Sequence, residues 1–249
     1  LALSPAERYL EIANDENYIN ANVAVDHDGR IYTGIEGKFA RIDFAADARW
    51  HYLPVAELPS TGARTGLDPS NVTAFDSTWF WYGGSGALVT WRPGSAPVVI
   101  AHAGSIEHVF ALGPTVFVSD TATGQLYRVD PTRQQTVNIS PPGTSSADII
   151  TASVEFAPGV LLLGTSGSAL KLFDGTALQP FPAQGVLGSD RRISDLCALG
   201  PDLFAAAVDT AGIVVFDRHG RIIQVLDRSL DHRLSRPRRL LYTPDGVLW

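Results

Sequence analysis

Apolar and polar positions along the chain alternate in short runs that end at Gly, Pro or Asp-Gly, and one phrase returns six times. It consists of an apolar strand, a tight turn, a second apolar strand carrying an aromatic residue or leucine, and then small residues. It reads VAVDHDGRIYTG from Val23, VTAFDSTWFWYGG from Val72 and HVFALGPTVFVSD from His108. It returns as SVEFAPGVLLLGT from Ser153, DLCALGPDLFAAA from Asp195 and LLYTPDGVLW from Leu240. Aligned on Tyr32, Trp81, Phe117, Leu162, Phe204 and Trp249, successive copies lie 36 to 49 residues apart. A mean period of about 43 is that of a four-stranded propeller blade.

The remainder of each copy supplies two more strands. After the anchors come KFARIDF, ALVTWRP, QLYRVDP, ALKLFDG and GIVVFDR, then turns such as Pro93-Gly94 and Asp174-Gly175, then a fourth apolar strand such as RIIQVL. Two-residue turns of this kind close antiparallel hairpins because their central positions tolerate positive φ. The pattern predicts an all-β fold, a β-propeller of four-stranded antiparallel blades, five complete plus part of a sixth. The expected blades cover about 19–60, 70–103, 105–140, 150–184, 192–230 and 238–249. Before them, Ser4-Pro5-Ala6-Glu7 has the composition of a capping box and predicts one short helix over 4–13, in an N-terminal segment 1–18. The sixth copy stops within its second strand, and the chain has no methionine, so the expectation is an excised part of a longer propeller.

Composition narrows the class. At 45% hydrophobic and 18% charged the chain is globular rather than disordered. It has no apolar run near the roughly 18 residues that span a bilayer. Nineteen basic against twenty-six acidic side chains argue against nucleic acid as a partner. The single cysteine excludes an internal disulfide and a Cys-based metal site.

DHDGRIYTGIEGKFARID, GVLLLGTSGSALKLFDG and TPDGVLW resemble the regulator-propeller repeats of bacterial two-component sensors, over roughly residues 20–249. FVSDTATGQLYRVDP also resembles NHL-type propellers, and similar phrases occur in regucalcin-like lactonases. The regulator-propeller resemblance implies a periplasmic or extracellular bacterial sensing module that often binds carbohydrate fragments. It sits upstream of a transmembrane helix and a signalling domain absent from this chain, so membrane contact is expected only through such a domain. A homodimer of the full-length protein is a further expectation.

Catalytic signatures are absent: no HExxH, P-loop, dinucleotide fingerprint or EF-hand loop occurs, and no cofactor or metal is expected. Gly164-Thr165-Ser166-Gly167-Ser168 approaches a nucleophile elbow but lacks the final Gly and lies between strands. Cys197 in DLCAL reads as a small core residue. Asn22, Asn71, Glu155 and Asp195 lie near inner strands, where a lactonase-like enzyme would gather metal ligands, but at positions that do not match that family's motifs. A lactonase-like or polysaccharide-acting enzyme and a protein-interaction scaffold remain as alternatives to a non-catalytic sensor.

Propeller ligands bind at one end of the channel, where loops enter each inner strand. Those loops hold Arg191, Arg192, Arg233, Arg236, Arg238 and Arg239, six of the nineteen basic residues. Arginine forks recognise carboxylate, sulfate or phosphate, so a small carbohydrate, an acidic glycan fragment or another anion is the expected ligand. Pairing with Asp190, Asp195 or Asp231 on a solvated rim is the competing explanation. Tyr18 in an entering loop, His108 beside the loop after His102, and Trp79 as a sugar-stacking ring complete the candidates. Glu36, Lys38, Ser85, Thr121, Thr123, Ser166, Ser168, Asp209 and Thr210 are candidate polar lining.

Overall fold

Runs of β-branched and aromatic residues between turn formers fit a pleated surface, and they form strands throughout. The computed structural model describes residues 23–25, 30–35, 38–44, 50–57, 71–75, 77–82, 86–167, 170–188 and 190–249. The first meander has β1 (Val23–Val25), β2 (Ile31–Ile35), β3 (Lys38–Phe44) and β4 (Trp50–Glu57). The second has β5 (Asn71–Phe75), β6 (Thr78–Tyr82), β7 (Ala87–Trp91) and β8 (Val98–Ala101). The third has β9 (Ile106–Leu112), β10 (Thr115–Asp120), β11 (Leu126–Asp130) and β12 (Gln135–Asn138). The fourth has β13 (Ile150–Ala157), β14 (Val160–Thr165), β15 (Leu170–Phe173) and β16 (Leu178–Pro180). The fifth has β17 (Ile193–Ala198), β18 (Leu203–Val208), β19 (Gly212–Asp217) and β20 (Ile222–Leu226). Within each, neighbours in sequence pair antiparallel. After them a further hairpin is marked by the Tyr242↔Leu248 bridge. The helix expected over 4–13 and Tyr18 lie outside the described residues.

The second and third meanders share one sheet. A single parallel bridge, Gln135↔Ala101, joins β12 to β8, and the Ala101 N–H donates to the Gln134 carbonyl at 3.1 Å.

Successive side chains of a strand point to opposite faces, and this alternation builds the core. Leu161 and Leu163 of β14 pack back onto Phe110 and Phe117 of the third meander. Leu162 between them packs forward against Phe204, Ala206 and Val208 of the fifth. In β6, Trp79 packs back against Tyr32, while Phe80 and Tyr82 pack forward with Ile106, Val109 and Val118. The middle blades are thus buried on both faces between their neighbours, with β1, β5, β9, β13 and β17 adjacent in turn along the inside. Sheets stacked radially with their first strands inward make a β-propeller.

Register corrects the alignment of the repeat. Phe75↔Thr78, Leu112↔Thr115 and Ala157↔Val160 close equivalent hairpins. Phe80, Phe117 and Leu162 are therefore equivalent, and the second copy is anchored at Phe80 rather than Trp81. A shift of one residue exchanges the two faces of a strand.

Gly159 illustrates the turns. Its φ is +78°, and a Cβ there would meet nothing within 4 Å, so only backbone strain opposes a side chain. Gly159→Ala is expected to cost about 1–2 kcal/mol in urea unfolding, the penalty of left-handed backbone for an L-residue.

Candidate functional site

The inner strands β9, β13 and β17 all begin at one end of the propeller, the entry face, with the same irregularity. Ile106, Ile150 and Ile193 pair with Asp120, Thr165 and Val208, whereas His108, Ala152 and Asp195 pair with Ser119, Gly164 and Ala207. Glu107, Thr151 and Ser194 are the extra residues of three equivalent β-bulges, which redirect a side chain out of the ladder. A second bond repeats beside each bulge. The N–H groups of Thr121, Ser166 and Asp209 donate to the carbonyls of Ser105, Ile149 and Arg192 at 2.8, 2.9 and 2.9 Å. The entry face is thereby fixed by backbone bonds, and the bulge residues are free to act between blades.

Each bulge side chain has a different environment. Thr151 donates to the carbonyl of Ile193, tying the fourth blade to the fifth. The Ser194 hydroxyl is buried without a hydrogen-bond partner among the described residues. Glu107 reaches past the fourth blade to form an ion pair with Arg192 at the start of the fifth. This pair links the third blade to the fifth at the entry face.

Around it lie polar groups from the neighbouring inner strands. The His108 Nε2 is 3.0 Å from the Ser153 Oγ, and its ring stacks on Phe110 at 5.8 Å between centroids. Burial, helped by the nearby Arg239 cation, lowers the His108 pKa to about 3, so the imidazole is neutral. The Asp195 carboxylate accepts the Leu240 N–H at 2.8 Å and the Leu196 N–H at 3.0 Å. Burial nevertheless raises its pKa against the pull of those bonds and of Arg239. Tyr82 is pushed up to about 12 by burial, with Arg239 opposing and Glu107 and Asp195 reinforcing. The Arg239 field thus reaches Tyr82, His108 and Asp195 together, while its side chain stays exposed.

The expected arginine cluster divides. Arg192 pairs with Glu107, and the Arg239 charge acts on Tyr82, His108 and Asp195. Arg191 points the other way and donates to the Thr210 Oγ1 at 2.9 Å. It borders an open pocket of about 580 Å³ on the outer edge of the fifth blade, with Val186, Asp227 and Arg228. Arg236 and Arg238 are exposed and make no ion pair among the described residues, and Arg233 lies in the turn His232–Ser235. Of the expected acidic partners, neither Asp190 nor Asp195 forms an ion pair with Arg191, Arg192, Arg236, Arg238 or Arg239 among the described residues. The partner of Arg192 is Glu107.

Other candidates are structural. Trp79 is 1% exposed, and its ring lies 3.8 Å from that of Tyr32, which leaves no face for a sugar. His102 is buried between the second and third blades, with Nδ1 3.0 Å from the Thr136 Oγ1 and its ring edge-on to Tyr127. Burial lowers its pKa, with Asp120, 3.6 Å from its Nε2, opposing. Thr123 bonds the Asp120 carboxylate, Thr121 the Ser105 carbonyl and Ser166 the Ser146 carbonyl, so these turn residues hold loops. The half-buried Cys197 thiol is pushed up to about 12 by burial and by Asp195, far from a thiolate. Among the described residues, no three His, Cys, Asp or Glu side chains gather as metal ligands.

Glu107 and Ser153 belong to this candidate site, and the sequence pattern did not single them out. The readable signal was the entry of each inner strand, IEHVF, ITASV and ISDLC, where Ile is followed by a polar residue. An alignment on the hairpin at the far end of the same strand passes over it.

No protein-family model and no curated sequence matches the chain. Solved structures do. The chain is similar to the extracellular domain of BT4673 from B. thetaiotaomicron, described as a hybrid two-component system, at a TM-score of 0.68 and 15% identity. That match covers 98% of this chain and 33% of the other. Streptogramin B lyase matches at a TM-score of 0.68 and 12% identity, over 91% of this chain and 74% of the lyase. The WD40 β-propeller domain of Doa1 matches at 0.56 and 13%, over 79% and 64%. The chain spans about a third of the BT4673 domain. These likenesses establish a β-propeller. No helix among the described residues is long and apolar enough to cross a membrane.

Proposed function

We propose that the chain is a non-catalytic, extracytoplasmic sensing propeller that binds a small acidic oligosaccharide at the entry face of its channel. The observation that carries this reading is the Glu107–Arg192 pair across the mouth, with Arg239 directed at the same group of side chains. Arg192 is a guanidinium held by an internal carboxylate, which a ligand carboxylate or sulfate can replace at little conformational cost. Arg239 offers a second, exposed cation, and His108 with Ser153 adds neutral polar groups. The fold shared with the BT4673 extracellular domain supports a sensing role, and signalling belongs to a domain outside this chain.

A thermal-shift panel tests the reading. At ten times Kd, a galacturonate trisaccharide or a sulfated disaccharide is expected to raise Tm by about 3–5 °C. Maltotriose is expected to leave it unchanged. Stabilisation by neutral sugars alone would leave the arginines as a solvated rim.

A further inference from the structure

The opposite, exit face carries a cavity that the channel reading does not use. It is a cleft of about 460 Å³ between the second and third blades. Phe75, Phe80, Val98, Ile100, Val116 and Val129 form its apolar walls. The β8–β12 bridge closes it on the outside, because the Ala101–Gln134 bond draws the two outer strands together. On the inside it ends at the Gly113-Pro114 turn between β9 and β10. The walls are fixed by a two-blade sheet, so the space is preformed.

One cation stands at its rim. Arg92 lies in a turn locked by Ser95, whose Oγ accepts the Arg92 N–H at 3.3 Å and donates to the Arg92 carbonyl at 2.7 Å. The Arg92 Nε donates to the Thr78 Oγ1 at 2.7 Å, which sets the plane of the guanidinium over the cleft. Its terminal nitrogens make no ion pair among the described residues, and none of the lining residues is acidic. An apolar chamber of this size with one oriented guanidinium selects an amphipathic monoanion. We infer that this inter-blade cleft is a second binding site, separate from the channel mouth, for a small hydrophobic carboxylate. The hydrocarbon body fills the space above Phe80 and Ile100, and the carboxylate takes the free edge of Arg92.

Isothermal titration with 4-phenylbutyrate and with octanoate tests it, using their primary amides as neutral controls. At least one acid is expected to bind saturably in the millimolar range or tighter, with its amide at least about tenfold weaker. Which acid binds better decides between an aromatic and an aliphatic body. Arg92→Gln is expected to weaken the acid about tenfold, and Val98→Trp, at a position already 37% exposed, to abolish binding by filling the cleft. Arg239→Gln is expected to leave it unchanged, which separates this site from the channel. Absence of saturable binding by both acids, equal binding of acid and amide, or an unaffected Arg92→Gln variant would each overturn the assignment.

Discussion

Trp79→Ala is expected to lower unfolding stability by about 3–5 kcal/mol, the usual cost of deleting a buried aromatic side chain. The indole is 1% exposed and packs with Tyr32, Val72, Val89 and Trp91 where the first blade meets the second. Its removal leaves a cavity between two sheets that cannot close without shifting a strand. At 2–4 °C per kcal/mol for a chain of this size, Tm should fall by roughly 10 °C. Trp79→Phe keeps most of the contact and should recover more than half of the loss. A urea midpoint comparison gives the result directly. A loss under about 1 kcal/mol, accompanied by lost sugar binding, would return Trp79 to the ligand site.

Acid should destabilise the protein through His108. In the fold its pKa lies near 3, below the ordinary value of 6.5, chiefly because burial disfavours the imidazolium and secondarily because Arg239 repels it. A histidine depressed in this way is protonated first in the unfolded chain. Its contribution is therefore complete above pH 6.5 and is withdrawn as pH falls from 6.5 towards 3. Between pH 6.5 and 4.5 the loss is at most about 2.7 kcal/mol, less whatever screening the half-buried ring receives. Asp195, whose pKa is raised by burial, acts with the opposite sign at lower pH. The informative comparison is thus wild type against His108→Gln, which keeps Asp195, Glu107 and Arg239 and can still bond Ser153. The variant should melt at nearly constant temperature over the window while the wild type falls. Parallel curves would show that the imidazole is not held neutral.

Much of the architecture was legible because the propeller repeats local chemistry. Gly159, with its positive φ, sits where the turn reading requires a glycine, and the apolar run VLLLGT became a strand buried on both faces. Phase was harder to read. The phrase around Trp79 and Trp81 can be aligned in two ways one residue apart, and only the pairing of Phe75 with Thr78 decides which face each residue takes. The site suffered more, because its geometry is set by bulges and long-range pairs. Arg191 and Arg192 are adjacent in sequence, yet one meets Thr210 at an outer edge and the other meets Glu107 across the channel mouth. Glu107 and Arg192 lie in different blades with a whole blade between them, and no local pattern announces that contact. A cluster counted along the chain is therefore not a cluster in space: Arg191 and Arg192 part company at once.

In the proposed function, Arg192 and Arg239 read an anion at the channel mouth. The most direct measurement is a calorimetric titration of a galacturonate trisaccharide into wild type, Arg239→Gln and Glu107→Gln. Arg239→Gln should weaken binding about tenfold or more, the loss of one charge-assisted contact. Glu107→Gln, which frees Arg192 from its internal partner, should tighten binding several-fold. Unchanged affinity in Arg239→Gln, or weaker binding in Glu107→Gln, would contradict the account.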